Sequence, residues 1–144
     1  MKVLTRKFGE IEIDEAKTLT VFDGLLGFEE YKRYVLLTDP KTTPFCWLQS
    51  IEEPNLSLIV MEPLFFKPDY TLNLDQLMLT LGWEDVDSRD LIVYVVVNLS
   101  KEDPEKQITA NLLGPILINP KTNEMVQAII SDTDYAHDHI VLAA

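Results

Sequence analysis

Residues 44–63 read "PFCWLQSIEEPNLSLIVMEP", and the reading of this stretch decides the fold. Pro44 precedes one apolar run, Pro54 sits in a polar "EEPN" turn and Pro63 ends a second run. Each proline therefore falls where a missing N–H removes no interior ladder bond, and the pattern predicts a β-hairpin. In its second arm Leu56, Leu58 and Val60 share one face while Ser57, Ile59 and Met61 share the other, so both faces are largely apolar. "LIVYVVV", Leu91 to Val97, has the same character. Strands apolar on both sides must be covered on both sides, which requires a closed barrel, a sandwich or a sheet under another layer. Phe45 and Trp47, or Cys46 and Leu48, then face the core.

Upstream, "EIEID" (Glu10 to Asp14) places Ile11 and Ile13 on one face with acids on the other, the period-2 pattern of a half-buried strand. "TLTVF" (Thr18 to Phe22) repeats the alternation, Gly9 offers a turn, and with "KVLT" these segments predict an antiparallel meander. "FDGLLGFEEYKRYVLL" predicts a loop at Gly24 and Gly27, a short helical turn near Glu29 to Tyr31 and a strand from Tyr34 to Leu37. Downstream, "NLDQLMLTLGWEDV" predicts one helix of about two turns. Asn73 or Asp75 caps it, Leu74, Leu77, Met78 and Leu81 follow helical spacing, and Gly82 stops it. A polar loop, Ser100 to Lys106, precedes "QITANLLGPILIN" and "EMVQAII", which flank "PKTN" (Pro120 to Asn123) as a second hairpin, with a bulge or bend at Gly114-Pro115. The expectation is an all-β, mainly antiparallel fold with one short helix, formed as a single domain over residues 1–144.

Composition bounds the function. A chain of 144 residues with 47% hydrophobic content is long enough to bury roughly 68–70% of its unfolded surface without staples. Cys46 is the only cysteine, so no intramolecular disulfide forms. "MKVLTRKFGE" lacks the apolar core of a signal peptide, and no apolar run approaches the ~20 residues of a membrane-spanning helix, so the expected location is cytoplasmic with no membrane partner. Twenty-four acidic residues against 12 basic ones give a net charge of −12, which repels phosphate backbones and argues against direct nucleic-acid binding. Beyond Lys121 the chain carries acids and no Lys or Arg. A second acidic cluster, "WEDVDSRD", surrounds Arg89 with Glu84, Asp85, Asp87 and Asp90. Such surfaces keep a protein soluble, and they also steer basic partners toward it.

Enzymatic signatures are missing. The sequence holds no GxxxxGK[ST], GxGxxG, HExxH or paired CxxC. Cys46, between Phe45 and Trp47, reads as a small buried hydrophobe, and Ser50 and Ser57 lack the strand-to-helix elbow of a nucleophile. "DTDYAHDH" gathers Asp132, Asp134, His137, Asp138 and His139, but as a calcium loop it has His137 where glycine is needed and Ala143 where glutamate is needed. A transition-metal site there is the alternative to a polar turn. Glu52 and Glu53, adjacent beside Pro54, point apart too readily to form an acid/base pair. No catalytic residue, cofactor or metal is expected.

Three stretches together, "FDGLLGFEEYKRYVLL", "PFCWLQSIEEPNLSLIVMEPLFFKPDY" and "ANLLGPILINPKTNEMVQAI", resemble the flagellar assembly factor family, FliW, in order and spacing over nearly the whole chain. The resemblance implies a small β-barrel-like fold with no enzymatic activity. It also implies two protein partners: cytoplasmic flagellin and the carbon storage regulator, an RNA-binding translational repressor. In that family, export of flagellin frees the assembly factor to sequester the regulator and so relieves repression of flagellin messenger RNA. The resemblance does not locate the interfaces. Polar and aromatic residues at the motif edges are the partner-binding candidates: Gln49, Glu52, Glu53 and Asn55 on the first hairpin, Phe66, Pro68, Asp69 and Tyr70 after it, and Asn119 on the second. Two rival readings need other features: a small-molecule-binding barrel needs an interior cavity, which the large inward side chains fill, and a metal-dependent hydrolase needs the C-terminal Asp/His cluster.

Overall fold

The computed structural model describes residues 1–84, 86–99, 108–131 and 133–141. Its elements are β1 (Lys2–Thr5), β2 (Gly9–Glu12), β3 (Leu19–Thr20), β4 (Arg33–Thr38), β5 (Cys46–Ser50), β6 (Ser57–Met61), α1 (Leu74–Leu81), β7 (Ile92–Leu99), β8 (Ile108–Ala110), β9 (Ile116–Asn119), β10 (Glu124–Gln127) and β11 (His139–Ile140). Among the described residues seven strands close a barrel in the order β3-β4-β5-β6-β7-β9-β10, with β10 returning to β3. Closure depends on the length of β7. Its first half, Ile92 to Tyr94, pairs with β9, its second half, Val97 to Leu99, pairs with β8, and Val95 to Val97 pair with β6. The seam between β3 and β10 is parallel and narrow, one Cα pair reinforced by a 3.0 Å bond from the Thr20 N–H to the Asn123 carbonyl.

The alternation read from sequence is the alternation of barrel interior and exterior. Tyr34, Leu36, Cys46, Leu48, Leu58, Val60, Tyr94, Val96, Ile116, Ile118 and Met125 meet in one interior cluster. Three separate covers bury the opposite faces. The β1–β2 hairpin lays Val3, Ile11 and Ile13 over Val35 and Leu37 of β4. The segment after β6, with β8 and the C-terminal residues, covers Ile59, Met61, Val95 and Val97. Helix α1, with Trp83 and Val86, covers Val93, Leu117 and Val126. Each buried Val, Leu, Ile, Phe or Met side chain contributes about 1.5–3 kcal/mol, so the two-sided apolar strands are stabilised once inside and once outside.

Cys46 and Leu48 face the barrel interior, whereas Trp47 points outward and is still only 6% exposed. Phe8 meets its ring edge-on at 5.5 Å and the Lys7 ammonium lies 4.2 Å over its face, so the tip of the β1–β2 hairpin is the lid on Trp47. Helix α1 begins and ends as its sequence prescribes: the Asn73 side chain accepts the Gln76 N–H, and Gly82 closes it with a left-handed φ of 73°. The Pro120–Asn123 segment makes the β9–β10 hairpin, and Gly114-Pro115 falls in the turn between β8 and β9.

One local expectation is corrected. The N-terminal segments do not form one meander: β1 and β2 make their own two-stranded sheet, and β3 joins β4 and β10 instead. A one-turn 3-10 helix at Glu15–Lys17 redirects the chain between them. The turn expected near Glu29 to Tyr31 is a single one, closed by the Tyr31 N–H on the Phe28 carbonyl at 3.1 Å, and it does not continue as a helix. Residues 25–28 close a tight turn through a Leu25–Phe28 bridge, and at Gly24 (φ +74°) the backbone runs so close to Glu29 that an added Cβ would lie 2.3 Å from its Cα. Two glycines in left-handed conformation leave no room for a helical register. The expected polar loop, Ser100 to Lys106, lies outside the described residues.

Candidate protein-binding surface

The turn of the β5–β6 hairpin is built from polar side chains turned on their own backbone. Ser50 Oγ accepts the Glu52 and Glu53 N–H groups at 3.1 and 3.0 Å, and the Leu56 N–H reaches the Glu53 carbonyl at 3.0 Å. Gln49 is 0% exposed, and its Nε2 donates to the carbonyls of Ser50, Pro54 and Leu56. The predicted interface role of Gln49 therefore meets a physical obstacle: the side chain is fully buried and its Nε2 holds the turn, while its Oε1 is buried without a partner. Glu52 is exposed, but its Oε1 accepts the Lys32 and Arg33 N–H groups at 2.6 and 3.0 Å, and these bonds hold its carboxyl below the ordinary value. Glu53 is half-buried and Asn55 exposed, with the Asn55 N–H on Glu53 Oε1 at 3.3 Å. The Arg6 N–H to Pro54 carbonyl bond, 2.9 Å, ties the turn to the N-terminal hairpin. The result is a preorganised acidic corner.

The candidates after β6 are distributed differently. Tyr70 is buried, its hydroxyl donating to the Leu112 carbonyl at 2.7 Å and its ring 4.7 Å from that of Tyr135. Burial, with Tyr135 beside it, pushes its phenol well above the ordinary value. Half-buried Phe66 stacks on His139 at 5.7 Å. Pro68 and Asp69 are exposed, and Asp69 pairs with Lys67 at 3.2 Å. Asn119 is buried, with Oδ1 accepting the Lys121 N–H to shape the second hairpin turn. Gln49, Tyr70 and Asn119 thus offer a partner no free surface in this conformation, and the exposed candidates do not converge. The Glu52–Asn55 corner and the Phe66–Asp69 segment leave β6 at opposite ends, about 17 Å apart for a five-residue strand.

The C-terminal cluster is also dispersed. His139 belongs to β11, paired with Ala110, while His137 is exposed and Asp132 lies outside the described residues. Among the described residues no three His, Cys, Asp or Glu side chains are grouped to hold a metal ion. Cys46 is half-buried at one mouth of the barrel, and burial, with the Glu62 charge nearby, pushes its thiol up. In the "WEDVDSRD" cluster Arg89 is already engaged. Its Nη2 lies 2.7 Å from Asp87 Oδ2, a contact that holds the Asp87 carboxyl at about 2. The remaining exposed acids there, Glu84 and Asp90, have no second arginine in their segment.

Sequence reasoning passed over Glu62, Leu64 and Phe65, which stand in the open on a one-turn 3-10 helix at Pro63–Phe65. A signal was present: three bulky apolar residues, Leu64 to Phe66, follow one proline and precede another at Pro68. So short a run between prolines cannot alternate as a ladder strand, and its side chains cannot all turn inward.

A family model described as "FliW protein" matches residues 2–141. The chain is 37% identical over 143 residues to a flagellar assembly factor FliW of Treponema denticola, covering 99% of this chain and 95% of that one. It is 40% identical over 144 residues to the protein of that name from Geobacter sulfurreducens, covering 96% and 85%. Among solved structures, a crystal structure of the flagellar assembly factor FliW superimposes with a TM-score of 0.85 at 33% identity, covering 99% of this chain and 98% of that one.

Proposed function

The chain belongs to the FliW family, and from that premise we propose that it is a non-enzymatic, cytoplasmic flagellar assembly factor. In this reading it binds flagellin and, when free of flagellin, holds the carbon storage regulator away from its messenger RNA. The observation that carries the reading is the match over residues 2–141, which absorbs the segments that bear the sequence motifs. Three physical features support it. The inward side chains of the barrel pack against one another, so the molecule's working surface is its exterior. Among the described residues no helix is long and apolar enough to cross a membrane. The net charge of −12 suits a protein that holds a basic RNA-binding partner and repels the RNA itself, because opposite surface potentials raise the encounter rate.

The test is binding with purified components. Flagellin and the regulator are each expected to bind, and stopped-flow association with the regulator is expected to slow as ionic strength rises, since the Debye length is only about 10 Å at 0.1 M salt. Dissociation changes much less. A salt-independent association rate would remove charge from the mechanism, and failure to bind either partner would overturn the reading. Glu53→Lys is a cleaner probe of the acidic corner than Glu52→Lys, because Glu52 also holds the Lys32 and Arg33 N–H groups. A lower on-rate for the regulator is expected.

A further inference from the structure

Immediately after β6 the chain makes an apolar knuckle between two concavities. Leu64 and Phe65, adjacent on the Pro63–Phe65 turn, are 58% and 62% exposed. On one side Leu64 forms the lip of a groove of about 350 Å³ walled by Leu72, Leu74, Leu91 and Val93. On the other, Phe65 borders a second concavity of about 200 Å³ walled by Pro44, Phe45, Cys46 and Tyr94. Glu62 lines both. Two neighbouring large apolar side chains left in water, with half-buried apolar walls on either side, form the kind of patch that soluble proteins reserve for partners.

The charges select the partner. Among the described residues no Lys or Arg lines the second concavity. In the first, Arg89 is held by Asp87, while exposed Asp90 and Asp75 adjoin lining residues Leu91 and Leu74 in sequence. A second copy of this chain would set the same acidic lip, and another −12 charge, against itself, and an anionic membrane would be repelled likewise. We propose that the Glu62–Phe65 knuckle and its two flanking concavities are the docking surface for a basic protein segment, whose apolar side chains enter on either side of the knuckle while a lysine or arginine between them meets Glu62. The inference rests on the reading that this protein holds the basic carbon storage regulator, and commits to that partner rather than flagellin.

The experiment uses exposed positions and the single cysteine. Leu64→Ser, Phe65→Ala and Glu62→Lys are made in the full chain, their melting curves recorded, and binding to purified regulator and purified flagellin measured separately. Phe65→Ala and Leu64→Ser are expected to melt as the wild type does and to weaken regulator binding tenfold or more. Glu62→Lys is expected to do the same and to flatten the salt dependence of association. In the unmodified protein, regulator is expected to slow alkylation of Cys46 by N-ethylmaleimide, because Cys46 lines the second concavity. If wild-type protein binds regulator but the folded variants bind it equally well and Cys46 stays unprotected, this surface is wrong and the functional reading stands. If wild-type protein binds no regulator, both fall. Should a variant fail to fold, Cys46 protection in the wild type decides alone.

Discussion

Replacing Trp47 by alanine separates scaffold from interface at the centre of the family's most distinctive motif. The ring is 6% exposed, capped edge-on by Phe8 and overlaid by Lys7. Removing a buried tryptophan costs about 3–5 kcal/mol, of which the edge-to-face contact accounts for about 0.5–1.5 kcal/mol. At roughly 3 °C per kcal/mol for a chain of this size, the melting temperature should fall by about 9–15 °C. The damage should be local first. Among the described residues β1 and β2 share no ladder with the barrel, so the hairpin is held by its side-chain cluster, the Trp47 lid and the Arg6–Pro54 bond. Hydrogen exchange should therefore show β1–β2 amides losing protection before those of β4 to β7. Trp47→Phe should cost less than Trp47→Ala, because it leaves a smaller cavity, keeps an aromatic partner for Phe8 and deletes an indole N–H that is buried without a hydrogen-bond partner. An unchanged melting curve for Trp47→Ala, together with lost partner binding, would refute this and make Trp47 an interface anchor.

Gly24→Ala forces a side chain into left-handed backbone and against the Glu29 main chain; the conformation alone costs about 1–2 kcal/mol, and a melt within 1 °C of wild type would show that the loop is softer than its geometry. Glu52 has a folded-state value below its ordinary 4.5, so its stabilisation is complete above the unfolded value and is lost as pH falls through the folded one. Glu52→Gln should lower the melting temperature at pH 7 and flatten its decline in acid, and an unaltered acid limb would remove Glu52 from that decline. His137→Ala should leave binding of both partners intact, since no metal chemistry is invoked; lost binding with native circular dichroism would count against a binding-only role.

Much of the barrel was legible because period-2 alternation is a local property. Leu56 to Met61 and Leu91 to Val97 announce burial on both faces without naming what covers each. The covers were illegible because they depend on distant pairings: Val35 is buried by Val3 and Ile13, and Leu117 by Met78 and Trp83. Closure was equally hidden, since it rests on β7 dividing one edge between β8 and β9, a choice made by tertiary packing. The turn expected near Glu29 forms as a single turn, and the left-handed Gly24 and Gly27 before it keep it from growing into a helix.

For the surface, polarity in sequence does not distinguish a side chain that reaches outward from one that folds back. Gln49 and Asn119 are polar and beside turns, as interface residues often are, yet each spends its hydrogen bonds on its own hairpin. Tyr70 turns its hydroxyl inward as well, to the Leu112 carbonyl in the turn between β8 and β9. Leu64 and Phe65 are the reverse case, apolar by sequence and exposed in the fold. The reason lies in the barrel itself. With the strand faces lidded by the β1–β2 hairpin, by α1 and by the segment after β6, Leu64 and Phe65 are left adjacent and in water. Leu64 stands at the seam between the segment after β6 and the α1 cover, and Phe65 at the open barrel mouth beside Cys46 and Tyr94. Substitutions at Leu64 and Phe65, exposed and adjacent, should alter binding without altering the melt, whereas those at buried Gln49 and Trp47 should alter the melt first.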